Sequence, residues 1–134
     1  MILALAIAAL AAQPAPPAGV DAGTAWELLL EEPAGQILLD PVSIARDGDI
    51  VRVRVKTVDA RPNASFSYAI MRMAIDCPGR RDAIEGGASF TRDGRVINSR
   101  ALEPGEALEW VPIETGSASD LYHRRACGAA GARR

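Results

Sequence analysis

Arg52, Arg54 and Lys56 stand at every second position of Ile50-Val51-Arg52-Val53-Arg54-Val55-Lys56, with valines between them. A spacing of two puts all three cations on one face of an extended chain and the valines on the other. Joined by Arg72 and Arg100, such a stripe is suited to anionic partners: acidic protein segments, acidic glycans or lipopolysaccharide. It also suits the plain solvated face of an antiparallel strand, where charge discourages sheets from stacking. His123, the chain's single histidine, could serve a haem or metal as a ligand, but only Asp120 stands at helical spacing beside it. An exposed helix histidine is the simpler expectation. Ser117 and Ser119 lack a nucleophile-elbow setting, and one imidazole would have to serve every base-requiring mechanism. Glu103, Glu106, Glu109 and Glu114 sit in a turn-rich stretch without apolar neighbours to raise their pKa values. No catalytic residue, metal site or cofactor site is therefore assigned. Trp26 and Trp110 could stack on a partner, but their aliphatic neighbours place them in the core.

The remaining reactive pair is Cys77 and Cys127, the only two cysteines. From Ile2 to Ala12 every residue is apolar, a run suited to the core of a signal peptide and too short to span a bilayer. Ala9-Leu10-Ala11 offers a cleavage site. No Lys or Arg precedes the run, so the α-amino group supplies its positive charge or the start lies upstream. Residues 1–12 are accordingly assigned as a signal peptide and 13–24 as a flexible Pro/Ala/Gly-rich leader. Export to the periplasm or the exterior implies an oxidising compartment, where two thiols in one small domain become a disulfide. No cysteine follows the apolar segment, so neither a lipid anchor nor a membrane span is expected. With 15 basic and 17 acidic side chains the charge is nearly balanced, which argues against nonspecific nucleic-acid binding.

The elements that hold these residues read mainly as strands. Trp26 to Leu30 and Gln36 to Leu39 flank the turn-like Glu31-Glu32-Pro33-Ala34-Gly35, and Val42 to Ala45 leads into a hairpin turn at Arg46-Asp47-Gly48-Asp49. Ile50 to Val58 is the clearest strand, and Ser65 to Asp76 the longest. Arg81 to Thr91 carries Gly86-Gly87, a sign of a bulge. Asp93-Gly94 turns the chain into Val96-Ile97, a loop surrounds Pro104-Gly105, and Trp110 to Ile113 is a short extended piece. Ser117 with Asp120 three residues on starts one helix like a capping box. Ala118, Leu121, Tyr122, Arg125 and Ala126 share its apolar face, Gly128 supplies its stop, and 129–134 form a disordered tail.

Asp40-Pro41-Val42-Ser43-Ile44, Ile50 to Val55, Ile75-Asp76-Cys77 with Arg80-Arg81, Asp93 to Ile97, Trp110, Pro112-Ile113, Gly116-Ser117 and Cys127 at a helix end follow one another in an order and spacing that resemble the surface-adhesin protein E family of Gram-negative bacteria. The resemblance covers about residues 25–128. It implies an α+β domain: a twisted antiparallel sheet of about six strands, with one C-terminal helix fastened onto it by a Cys77–Cys127 bond. It further implies a non-enzymatic adhesin for host matrix proteins such as vitronectin and laminin, and it transfers no binding residues. Two other readings are a structural envelope protein that self-associates, as a homodimer or further, through a sheet edge, and a haem-type capture protein using His123.

Overall fold

Alternation within Ile50–Asp59 sets the plan of the molecule. Val51, Val53 and Val55 are buried on one side, while Arg52, Arg54 and Lys56 lie on the other, in partial contact with solvent. The computed structural model describes residues 23–131, with side chains described to residue 128; the assigned signal peptide, residues 13–22 of the leader and 132–134 of the tail lie outside them. Six strands follow one another as an antiparallel meander: β1 (Glu27–Glu32), β2 (Gly35–Asp47), β3 (Ile50–Asp59), β4 (Tyr68–Asp76), β5 (Arg81–Phe90) and β6 (Val96–Ala101). A two-residue β7 (Val111–Pro112) pairs with Arg81 and Asp82 at the start of β5, where β6 does not reach. Helix α1 (Ala118–Gly131) then crosses the sheet over β2 and β3. The expected α+β architecture is observed.

Local chemistry explains three details of the sheet. Gly48 takes φ 61° in the two-residue turn between β2 and β3, a conformation that costs glycine little. Pro41 does not end a strand, and the two expected strands Gln36–Leu39 and Val42–Ala45 are one. The register shifts between Asp40 and Ala45, and the proline, which lacks an N–H, falls inside that irregularity. Ser43 repairs the ladder there: its hydroxyl donates to the Asp40 carbonyl at 2.7 Å and accepts the Arg54 N–H at 2.8 Å. The bulge expected near Gly86-Gly87 is present, with Arg72 opposite Gly86 but Met73 opposite Ile84, so Glu85 is the extra residue. Gly87 lies where a Cβ would come within 2.5 Å of the Ile70 carbonyl oxygen, so a side chain there would collide with β4.

The main core lies between sheet and helix, where Leu39, Val51, Val53, Val55, Met73 and Ile75 meet Ile113, Tyr122, Ala126 and Cys127. Cys77, just past β4, is bonded to Cys127 across 50 residues, so the disulfide fastens helix to sheet. A bidentate contact from Arg125 to Glu27, at 2.6 and 3.3 Å, ties the helix to β1 as well. Gly128 does not stop the helix, which continues to Gly131. A glycine ends a helix by turning left-handed, and Gly128 is not among the residues of positive φ. Ala118, expected on the apolar face, is exposed, whereas Tyr122 and Ala126 are buried as expected.

Asp120 anchors the other end of the helix. Its backbone N–H donates to the Ser117 hydroxyl at 3.2 Å, the expected cap. Its carboxylate accepts the Gly116 N–H at 2.9 Å and the guanidinium groups of Arg124 at 2.6 Å and Arg80 at 3.3 Å. Those donors, the Gly116 amide first, hold the carboxyl far below its ordinary value. Asp76 is lowered too, by Arg81 and then by the Gly79 amide. Because folding depresses both values, the stability they supply is complete above the unfolded carboxylate pKa of about 4 and disappears as the pH falls through the folded values. The melting temperature should thus hold level from pH 7 to 5 and drop below about pH 4. Thermal melts of Asp120→Asn across that range should fall less steeply; an unchanged slope would remove Asp120 from the account.

Candidate functional site

The helix covers one face of the sheet, and the sequence-predicted cations lie on the other. Register alignment places Arg54 opposite Arg72, and Arg72 opposite Gly86. Arg52 donates from Nε to Glu85 Oε1 at 2.8 Å, so the bulge residue neutralises it. Arg54 reaches Asp40 Oδ2 at 3.1 Å and Thr24 Oγ1 at 2.6 Å, and its guanidinium lies 5.2 Å from the centre of the Trp26 ring. Lys56 places Nζ 5.6 Å from Trp26 and 4.9 Å from Tyr68, within cation–π range of both. Tyr68 in turn stacks on Phe90 with centroids 4.8 Å apart. The stripe is thus a set of committed cations, of which Arg54 and Lys56 rest on aromatic rings.

Arg72 differs. It is exposed, and it makes no hydrogen bond or ion pair among the described residues. Around it opens a trough of about 450 Å³, floored by Gly86 and Gly87 and flanked by Arg54, Arg100 and Glu85. Arg100 is held by Glu106 at 2.9 Å at the outer edge. Three arginines therefore face one glutamate, and that glutamate is already engaged by Arg52. The trough can accept an anionic group, with Arg72 as the cation free to turn toward it.

Other candidates from the sequence are placed elsewhere. Trp26 precedes β1 and is half-buried on the helix-free face, packing against Ile70, Ala88 and Phe90 rather than in the main core. Its indole Nε1 is buried without a partner. Trp110 is half-buried under the Arg81 guanidinium, 4.7 Å away. His123 is not an exposed helix histidine. Its Nε2 lies 2.9 Å from the Cys77 carbonyl oxygen and donates to it, while Nδ1 is buried without a partner. With Nε2 engaged by that carbonyl and Nδ1 buried, neither ring nitrogen is presented for an axial bond to haem. No group of three or more His, Cys, Asp or Glu side chains among the described residues is arranged to hold a metal. Cys77 and Cys127 are consumed in their bond.

Sequence reasoning missed two features. Asp120 looked like a cap and is also the hub for two arginines. Asp82 drew no notice and proves buried beside Tyr122 on the helix side of the sheet; the only signal was the Gly86-Gly87 pair, whose bulge changes the phase of β5.

Comparison with known proteins gives a consistent result. A family model described as surface-adhesin protein E matches residues 26–128. Among solved structures, crystal form II of Haemophilus influenzae protein E is similar with a TM-score of 0.53 and 14% identity, covering 90% of this chain and 99% of that one. At that identity the likeness concerns the fold. No curated protein matches.

Proposed function

The chain belongs to the surface-adhesin protein E family, and from that membership we propose that it is an exported, non-enzymatic binding module whose working surface is the helix-free face of its sheet. The observation that carries the choice of face is Arg72: an exposed guanidinium without a partner among the described residues, set in a glycine-floored trough between Arg54 and Arg100. Arg52, Arg54 and Lys56 contribute as its surroundings. Their ion pairs and aromatic contacts hold the side chains around it in place, so little side-chain freedom remains to be lost on binding. The partner this surface fits is an acidic segment of a matrix or envelope protein. The apolar segment at residues 2–12 supports export, and among the described residues no helix is long and apolar enough to cross a membrane.

Immobilised vitronectin and laminin, the matrix proteins implied by the family resemblance, provide the test. Native protein should bind at least one of them with an affinity that falls as salt rises. Arg72→Glu should weaken that binding about tenfold or more, since it places a like charge against the acidic partner. Equal binding by the two would leave the trough a solvated face. A second reading, self-association through a sheet edge, draws on the exposure of Leu28 and Leu30 on β1 and Ile97 on β6. Light scattering on concentrated protein separates the two: a strict monomer excludes the second.

A further inference from the structure

A second recess lies on the opposite side of the sheet. We propose that it binds a primary alkylammonium group, with the buried carboxylate of Asp82 as the anchor. The recess, about 640 Å³, is bounded by Met71, Met73 and Ile84 of the sheet, by Tyr122 in the first half of the helix, and by the chain between β6 and β7. That volume is in the range of small-molecule sites. Asp82 lines it, is 6% exposed, and has a carboxylate oxygen, Oδ2, with neither a hydrogen-bond partner nor contact with solvent.

A buried carboxylate normally has a cation or several donors beside it, because desolvation is otherwise uncompensated. The neighbouring arginines do not fill that role: Arg80 is engaged by Asp120, Arg81 by Asp76 and Arg100 by Glu106. Of the recess's other carboxylates, Glu85 and Glu106 are ion-paired, whereas Glu109 at the rim makes no ion pair among the described residues. Asp82 and Glu109 therefore stand in the recess with no cation paired with them among the described residues, the reverse of the Arg72 trough.

The chemistry of the ligand follows from the shape of this deficit. With Oδ2 sealed from solvent, only the other carboxylate oxygen is left to a ligand; a single acceptor calls for a compact point donor, whereas a guanidinium would use both oxygens side by side. An ammonium supplies three N–H donors from one atom. The two methionines and Ile84 provide an adaptable apolar wall for an aliphatic stem. A free alkylamine and the side chain of a lysine in a partner share this chemistry.

Titration of amide resonances with n-hexylamine at pH 7 tests the assignment, with n-hexanol as the uncharged control and Nα-acetyl-lysine amide as the peptide-like arm. Hexylamine should shift resonances around Asp82 to Ile84 and Ser119 to Tyr122, and bind at least tenfold more tightly than hexanol. Asp82→Asn should reduce hexylamine affinity about tenfold while leaving hexanol unchanged. Saturation by the lysine amide alone would assign the recess to a partner's lysine, and saturation by hexylamine alone to a free amine. No shift with either amine, or hexanol binding as well as hexylamine, overturns the proposal. Should Asp82→Asn not fold, the amine-to-alcohol ratio on the native chain still decides.

Discussion

Replacing Cys77 and Cys127 together by alanine is expected to lower the free energy of unfolding by about 4 kcal/mol. The loop they close spans 50 residues and contains β5, β6, β7 and most of the helix's described length. In the unfolded chain the bond removes the entropy of an open segment of that length, which gives the stated figure. Set against the 5–15 kcal/mol of a typical domain, the loss is severe. The native geometry adds a second reason. The helix lies across β2 and β3 with a narrow apolar face of Tyr122, Ala126 and Cys127, so little besides the bond and the Arg125–Glu27 contact holds its second half. Alanine is preferred to serine because Cys127 is 4% exposed, and a hydroxyl there would be buried without an assured partner. Urea titration should show the midpoint fall with the double substitution, and reduction of the native protein should reproduce most of that fall. Coincident curves for the oxidised, reduced and substituted proteins would show that the bond does not fasten the domain.

The cysteine pair was legible because two thiols allow only one intramolecular bond. Strand β3 was equally legible, since alternation at a period of two is a local property of Ile50 to Val58. What the sequence concealed depends on contacts between distant residues. Pro41 suggested a strand end, and its effect is offset by the Ser43 hydroxyl meeting the Arg54 amide, 11 positions away. Gly128 suggested a helix stop, but glycine composition does not determine which φ it adopts. Arg52, Arg54 and Arg72 are alike as letters. Glu85, 33 residues beyond Arg52, and Asp40, 14 before Arg54, distinguish these committed cations from Arg72, which has no such partner among the described residues. Asp82 was hidden because the Glu85 bulge moves the residues before it onto a different face from the one simple alternation assigns.

The same separation of faces bears on how a sheet covered by helix on one side keeps its other side in shape. The helix-free face has a second, smaller core of Ile70, Ala88 and Phe90, roofed by Trp26, Tyr68 and Val96 rather than by another layer of secondary structure. Phe90 is 0% exposed and is the largest fully buried side chain of the molecule's described part. Phe90→Ala should therefore cost about 3–5 kcal/mol, the range for deleting a buried aromatic and leaving a cavity. The damage should be one-sided. Tyr68 loses its stacking partner at 4.8 Å, and Lys56, resting on Tyr68 and Trp26, loses its platform, whereas the helix core forms a separate cluster. Native-state hydrogen exchange should show protection falling first in the Tyr68–Phe90 and Ile70–Ala88 pairs and last at Val51 to Val55. The binding proposed for Arg72 should weaken in parallel, because the trough floor at Gly86-Gly87 adjoins the same strands. Phe90→Leu, which refills most of the volume, should restore both protection and binding in large part. Uniform loss across both faces would mean that the two cores unfold as one and that the helix-free face has no stability of its own to lose.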